Sequence, residues 1–164
     1  MDLKKLTPGE IVTAVSGVLL LVISFFKWYA VDIAGIDLAS RTGWGGPGAF
    51  WSIIAILLGV VLAAHVIVEK LSGVDLPDRL GSVGWGVVHL AGGVVAFIFL
   101  LIKTLANDGW DRKFGLYIGL LCGVGLAVGG YLMAKEAGEL PASLGGAKGD
   151  TPPAPPSASP PPSA

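Results

Sequence analysis

Charged side chains are scarce in this sequence, and their scarcity indicates which solvent surrounds the chain. Only 14% of the 164 residues are charged, whereas 53% are hydrophobic, and the mean hydropathy is +0.74. A soluble domain carries about 25% charged residues, so polar side chains are too few here to cover a water-facing surface. The net charge of -1 also excludes the basic field that gathers nucleic acid. We therefore expect the lipid bilayer to be the main partner, and no nucleic-acid partner.

Cysteine is nearly absent, and so are the residue combinations of familiar active sites. Cys122 stands alone, which excludes an intramolecular disulfide and a Cys-based zinc site. The sequence has no His-Glu-x-x-His motif, no phosphate-binding glycine loop, and no Ser-His-acid set whose members fall together. The hydrophobic segments also lack Asp, Glu and Arg after Glu10, whereas ion pathways and transporters normally keep such residues. We expect no enzyme, no catalytic residue, no metal site and no bound cofactor, and transport is disfavoured.

Four hydrophobic segments are long enough to cross a bilayer core, which takes roughly 20 helical residues. They cover about 10–29, 49–68, 83–103 and 114–134. Thr7-Pro8-Gly9-Glu10 has the form of a capping box and predicts where the first helix begins. Aromatic residues near segment ends, such as Trp28 and Tyr29, are typical of the headgroup layer. The predicted fold is an all-α membrane protein, an up-down bundle of four transmembrane helices within residues 1–137.

Positive charges divide almost equally between the two sides of the predicted bundle. With the amino terminus inside, the inner segments hold six Lys and Arg residues and the outer segments five. Lys148 lies far past the last helix, and without it the positive-inside rule gives no orientation. The short amino-terminal tail with Lys4 and Lys5 favours both termini in the cytoplasm and residence in the plasma (inner) membrane. Lys103, near the end of the third segment, is expected to extend its methylene stem toward the headgroups.

Composition changes after about residue 138. Residues 141–164 hold eight of the 11 prolines, and no large apolar residue follows Leu144. Such a segment cannot bury enough apolar surface to offset the entropy of ordering. We expect residues 138–164 to form a disordered tail rich in Pro, Ala and Ser. Its Pro-x-x-Pro spacings fit a docking peptide for an aromatic groove as well as a solvated tail.

Small residues recur at every fourth position of the last hydrophobic segment. Gly115, Gly119, Gly123 and Ala127 fall on one face of the predicted helix. In a membrane, small residues at this spacing let a second helix approach closely. That second helix belongs either to the same chain or to a second copy, and the pattern does not separate the two. The pattern favours a structural or accessory membrane component, as a homo-oligomer or beside another membrane protein.

Two histidines are the titratable groups that lie deep in the hydrophobic segments. His65 lies about three residues before the end of the second segment, and His89 about six residues into the third. If these segments are antiparallel neighbours, both imidazoles lie on one side of the membrane, roughly 5 and 9 Å inside it at 1.5 Å per residue. Facing each other, they could bridge a metal, bind a haem axially or relay a proton. Otherwise each donates to a backbone carbonyl or reaches the headgroups. They are the candidate cofactor-binding residues, and a cofactor-binding or proton-handling bundle, or a small channel, is the alternative function.

The loop between the first two segments has mirrored strand-like halves around Ala34-Gly35. A two-residue turn there predicts a small β-hairpin with Asp32 opposite Asp37, although a plain loop fits equally well. Facing carboxylates are unfavourable unless a cation lies between them. Arg41, Lys27 or a divalent ion could supply it, and Arg41 is the simplest source.

The chain as a whole resembles small four-helix membrane proteins that are common in actinobacteria. The likeness lies in the aromatic end of the first helix, Phe25-Phe26-Lys27-Trp28-Tyr29, and in the loop that enters the second, Gly43-Trp44-Gly45-Gly46-Pro47-Gly48. A glycine-rich fourth helix followed by a Pro/Ala tail completes it. The resemblance implies residence in the plasma membrane, and it brings no activity and no functional residue to this chain.

Overall fold

Four α-helices form most of the chain in the computed structural model, which describes residues 6–33, 36–71, 79–80, 83–106 and 109–140. The helices are α1 (Pro8–Ile23), α2 (Ala49–Leu71), α3 (Trp85–Leu105) and α4 (Phe114–Glu136). Short strands lie between them: β1 (Tyr29–Ile33), β2 (Ile36–Arg41), β3 (Arg79–Leu80), β4 (Val83–Gly84) and β5 (Asp111–Arg112). Helices α2, α3 and α4 are long and apolar enough to cross a membrane, and α1 is a shorter apolar helix. Most of the predicted tail, residues 141–164, lies outside the described residues.

The first helix is shorter than its hydropathy predicts. It begins at the predicted capping box, in which Thr7 and Glu10 each accept a hydrogen bond from the backbone N–H of the other. It ends at Ile23 instead of residue 29, and Trp28 N–H then donates to Arg41 O at 2.8 Å. The residues after the helix are also apolar, but they lead into a small sheet. Hydropathy alone does not distinguish an apolar helix from an apolar strand. The other three helices agree with the predicted segments to within two or three residues at each end.

Each helix packs mainly against two others, in the order α1–α2, α2–α3, α3–α4 and α4–α1, and α2 also touches α4. Gly9 lies against Met133, and Gly129 lies against Thr13, so α1 and α4 run in opposite directions. In α3 and α4, Gly86 lies against Ala134 and Gly93 against Ala127, so this pair is antiparallel as well. In all four contacts a glycine lies where two helices approach closely, as small residues do where helices pack in a membrane.

The small-residue face of α4 is filled by atoms of the same chain. A Cβ added at Gly119 would lie 2.8 Å from the ring of Trp28, and one added at Gly115 would lie 2.6 Å from that ring. One added at Gly123 would lie 2.9 Å from the side chain of Leu100 on α3. Real Cβ atoms do not approach heavy atoms so closely, so no larger side chain fits at these positions without movement.

A three-stranded antiparallel sheet in the order β2-β1-β5 lies where α1 ends and α2 and α4 begin. The pairing of β1 with β2 confirms the predicted hairpin and places Asp32 opposite Asp37, with a bulge between Val31 and Asp32. The pairing of β1 with β5 adds the third strand. This third strand supports a hairpin that would be marginal alone.

The cation beside Asp32 is Lys113, and the expectation of Arg41 was wrong. Lys113 Nζ donates to Asp32 Oδ2. Arg41 pairs with Tyr29, at the end of the hairpin away from Asp32, and its guanidinium lies 5.7 Å from the ring centroid of Trp110. The sequence does not indicate this ion pair, because Lys113 and Asp32 are 81 residues apart. They meet only when β5, the strand just before Lys113, pairs with β1. Among the described residues no three His, Cys, Asp or Glu side chains are close enough together to hold a metal ion.

The sheet and the glycine-rich loop cover a buried lysine, so the predicted extension of Lys103 toward the headgroups was wrong. Lys103 is 0% exposed. Its Nζ donates to Gly45 O at 2.9 Å and lies 5.1 Å from the ring centroid of Tyr29. Trp28 and Tyr29 are also fully buried and do not face the headgroups. Hydropathy predicts a membrane boundary here, but these residues lie inside a cap. The cap consists of strands β1, β2 and β5 and the glycine-rich loop of residues 42–48, and we call it the outer cap.

We predict that Gly17→Leu weakens the contact between α1 and α2. Gly17 faces the carbonyl of Gly59 and the Cβ of Ala63, so a larger side chain forces the helices apart. Overpacking of this kind costs roughly 1–3 kcal/mol of unfolding free energy. The measurement is loss of helical circular dichroism as sodium dodecyl sulfate is added to protein in mild detergent.

Val18→Leu is the matched control, because Val18 is the next residue and its side chain is exposed. We expect this variant to unfold like the parent protein. Equal stability of the Gly17 and Val18 variants would contradict the close packing of α1 on α2.

Candidate functional site

Polar side chains collect at the end of the helices opposite the outer cap. This end comprises the start of α1, the end of α2 and the start of α3. We call the group the polar cluster; its members are Glu10 of α1, His65, Glu69 and Lys70 of α2, and Trp85 and His89 of α3.

The helical spacing of four residues places the two histidines face to face. His65 and Glu69 lie on one face of α2, and Trp85 and His89 lie on one face of α3. The ring centroids of His65 and His89 are 5.0 Å apart, and those of His65 and Trp85 are 3.8 Å apart. The two histidines that the sequence singled out therefore meet.

His89 faces a backbone carbonyl from each of its ring nitrogens. It is fully buried, with Nδ1 2.8 Å from Trp85 O and Nε2 3.4 Å from Leu62 O. A neutral imidazole has one donor and one acceptor, so it satisfies only one of these carbonyls. The shorter contact favours the tautomer in which Nδ1–H donates to Trp85 O. The lone pair of Nε2 then points toward the oxygen of Leu62, and only an imidazolium can donate to both.

His65 has no hydrogen-bond partner among the described residues. Its side chain is 10% exposed, and both ring nitrogens are buried without a partner. No other buried side-chain nitrogen or oxygen in the described part of the chain is left unpaired. The carboxylate of Glu69 is 3.8 Å from His65 Nδ1, which is too long for a hydrogen bond. An unpaired buried polar group costs about 1–3 kcal/mol, so this ring is a poor structural element.

Ion pairs connect the histidines to the edge of the protein. Lys70 Nζ lies 3.0 Å from Glu69 Oε1 and 3.3 Å from Glu10 Oε1. The Glu69 and Lys70 side chains are each about one-third exposed, whereas Glu10 is buried. Glu10 therefore closes the capping box of α1 and also ties α1 to α2. The sequence predicted the capping role alone, because Lys70 is far from Glu10 along the chain.

A carboxylate from beyond α4 holds the first turn of α3. Glu139 Oε2 accepts from Val87 N–H at 3.1 Å, where a negative charge is favourable at the helix amino terminus. The following residue, Leu140, is buried. Both residues lie in the stretch that composition assigned to the tail, and no local sequence signal predicts their contact with α3.

The polar cluster suits a proton better than the other ligands considered for the histidine pair. Metal binding lacks a third side chain, since no group of three His, Cys, Asp or Glu able to hold a metal ion occurs within the described ranges. A haem would lie between the rings, and a centroid distance of 5.0 Å with Trp85 against His65 leaves no space for a macrocycle. A proton needs a nitrogen lone pair and nearby acceptors, and the pair offers both.

We predict that the two histidines respond differently to substitution by Phe. His65→Phe keeps the ring stacked on Trp85 and removes two unpaired nitrogens, so stability should stay equal or rise. His89→Phe removes the hydrogen bond to Trp85 O and enlarges a fully buried ring, which costs roughly 1–3 kcal/mol. Unfolding in mixed micelles, followed by circular dichroism, measures both. A larger loss at His65 than at His89 would contradict the assignment of the unpaired ring.

Comparisons with protein-family models, with curated proteins and with solved structures found no match to this chain. The resemblance to small actinobacterial membrane proteins therefore stays a prediction from sequence. What the protein does has to be inferred from the packing of its helices and from the polar cluster.

Proposed function

We propose that this protein is an up-down bundle of four transmembrane helices in the plasma membrane. In this proposal it serves as a structural or accessory membrane component, with both termini in the cytoplasm. The antiparallel contacts of α1 with α4 and of α3 with α4 support the up-down order. The polar cluster would then lie at the cytoplasmic side, and the outer cap at the opposite side.

One observation carries the proposal: every helix combines a close-packed inner face with an exposed apolar outer face. Large apolar side chains remain 40% to 65% exposed on α1, α2, α3 and α4, as at Val15, Leu57, Leu101 and Leu121. Water would make such a surface a strong aggregation site, whereas lipid chains solvate it at no cost.

Helix α1 needs the residues after it to cross the membrane. Its 16 residues reach about 24 Å, short of a bilayer core of about 30 Å. The turn after α1 carries Phe25 and Phe26, whose side chains are exposed. They extend the apolar belt beyond the helix end and support a full crossing by the first segment.

An accessory role follows from how the interior is filled. The glycines of α4 contact Trp28 and α3, so the space between the helices is occupied by side chains and backbone. In the described part of these helices the buried charged groups are Glu10 and Lys103, one near each end. Such an interior supports a packed unit better than an ion pathway. A second copy or a membrane partner would bind the outer faces, since the small-residue face of α4 is already covered.

Cysteine accessibility tests the proposed topology. The only cysteine, Cys122, is buried, and its replacement by Ala gives a cysteine-free background. Single cysteines are then introduced as Asp111→Cys, just before α4, and Glu136→Cys, at the end of α4, where both residues are exposed. We expect a membrane-impermeant maleimide to label position 111 in intact cells, and position 136 only after permeabilisation.

The reversed pattern would contradict the cytoplasmic placement of both termini. Labelling of both positions from outside would contradict a crossing by α4. Either result is read against the Cys122→Ala background, which should stay unlabelled.

Reconstitution separates an accessory bundle from a small channel. We expect liposomes that contain the purified protein to hold a potassium chloride gradient as tightly as protein-free liposomes, because the interior is filled. Light scattering of the detergent-solubilised protein, corrected for bound detergent, reports its mass against the 16.8 kDa chain. An ion flux that rises with the protein content of the liposomes would reject the accessory role in favour of a channel.

A further inference from the structure

The polar cluster has two features that a proton relay requires: a ring free to exchange a proton and a second ring that can hold one. His65 has two buried ring nitrogens without a partner, and His89 has one more carbonyl neighbour than a neutral ring can satisfy. The two rings are neighbours, with their centroids 5.0 Å apart. We propose that His65 carries a proton from Glu69, at the aqueous edge, to His89, the buried proton-binding site. This inference does not depend on the accessory role.

The distances fit a transfer between the rings. Two imidazoles joined by one N–H···N bond of about 2.9 Å have ring centroids about 5 Å apart. The centroids of His65 and His89 are 5.0 Å apart, with the ring planes at 59°. No hydrogen bond joins them in this arrangement, and His89 Nε2 faces Leu62 O. The transfer therefore requires both rings to turn, so that a His65 N–H points at His89 Nε2.

Glu69 is the group that supplies His65 from the water side. Its side chain is 33% exposed, and its Oε2 lies 3.8 Å from His65 Nδ1. Its other oxygen, Oε1, is held 3.0 Å from Lys70 Nζ. A shift of less than an ångström in the carboxylate would bring Oε2 within hydrogen-bond distance of the imidazole.

The transfer balances with a single proton. A proton from water, delivered through the Glu69 carboxylate, adds to the lone pair of the unprotonated nitrogen of His65. The proton on the other nitrogen of His65 then passes to the lone pair of His89 Nε2. His65 becomes neutral again as the opposite tautomer, His89 becomes an imidazolium, and only O–H and N–H bonds are formed or broken.

The environment of His89 accommodates the added charge. Once Nε2 carries a proton, it donates to Leu62 O while Nδ1–H continues to donate to Trp85 O. Trp85 also presents its ring to His65 at 3.8 Å, a contact that favours a transient imidazolium there.

Within the described ranges, the charged groups that contact the polar cluster come from three parts of the chain. Glu69 and Lys70 belong to α2, Glu10 belongs to α1, and Glu139 lies beyond α4 at the start of α3. Lys135 and Glu136, at the end of α4, are exposed. Among the described residues, the carboxylates of Glu10, Glu69 and Glu139 therefore outnumber Lys70 in this network of contacts.

The protein has only two histidines, so nitrogen-15 labelling of histidine reports on this pair alone. The full-length protein in lipid nanodiscs is followed by nuclear magnetic resonance from pH 8 to pH 5, and His65→Gln and His89→Gln assign the signals. We expect His89 to change from one protonated nitrogen to two. A His89 ring that keeps one protonated nitrogen across this range would overturn the proton site.

The relay is tested by the rate of proton exchange at His89. We expect His65→Gln to slow this exchange at least about tenfold, since a positioned acid–base group contributes 10²–10⁴-fold in other proteins. We also expect Glu69→Gln to slow it, whereas Glu136→Gln, at an exposed carboxylate near the same end of the bundle, should leave it unchanged. The His65→Gln substitution breaks no hydrogen bond, because neither nitrogen of the His65 ring makes one. Equal exchange rates in the parent, His65→Gln and Glu69→Gln proteins would overturn the relay even if His89 binds a proton.

Discussion

The close approach of α4 to its neighbours is the constraint on which the rest of the structure depends. Lipid provides no hydrophobic force between apolar helices, so they associate through packing. Here Gly115 and Gly119 leave a hollow, and the indole of Trp28 fills it. Trp28 follows the end of α1, and its Nε1–H donates at 2.9 Å to Ile23 O, the carbonyl that also accepts from Phe26 N–H in the turn after the helix. One side chain thus closes α1 and packs α4.

The outer cap follows from that arrangement. Because α1 ends early to place Trp28, the next residues form β1, and β5 pairs with it just before α4. The cap then covers Lys103, whose ammonium group would otherwise stand at the edge of the membrane. Gly45 O and the ring of Tyr29 replace part of its hydration. Among the described residues no carboxylate pairs with this amine, and a carbonyl and an aromatic ring of the cap stand in its place.

Sequence patterns predicted those features that depend on neighbours along the chain. Hydropathy located α2, α3 and α4 to within three residues, and the capping box located the start of α1. The mirrored halves around residues 34–35 predicted a hairpin, with a plain loop as the alternative, and its Asp32–Asp37 register is present. The missed side-chain contacts join distant segments: Lys113 with Asp32, Glu10 with Lys70, and Glu139 with Val87. A single sequence gives no physical signal for such pairs, because their geometry exists only after the helices pack.

In the histidine pair, too, the sequence predicts the position of the rings but not their contacts with distant groups. Spacing along α2 and α3 placed both rings on one side of the membrane, and the antiparallel contact brings them together. Their different roles could not be predicted, because they depend on single carbonyl oxygens: His89 faces two, and His65 faces none.

A bundle selected for stability alone would place an apolar side chain at position 65, since stacking on Trp85 requires no nitrogen. The unpaired imidazole costs stability and sits between an aqueous-edge carboxylate and a ring with a surplus acceptor. This combination is the strongest physical argument that the polar cluster handles a proton.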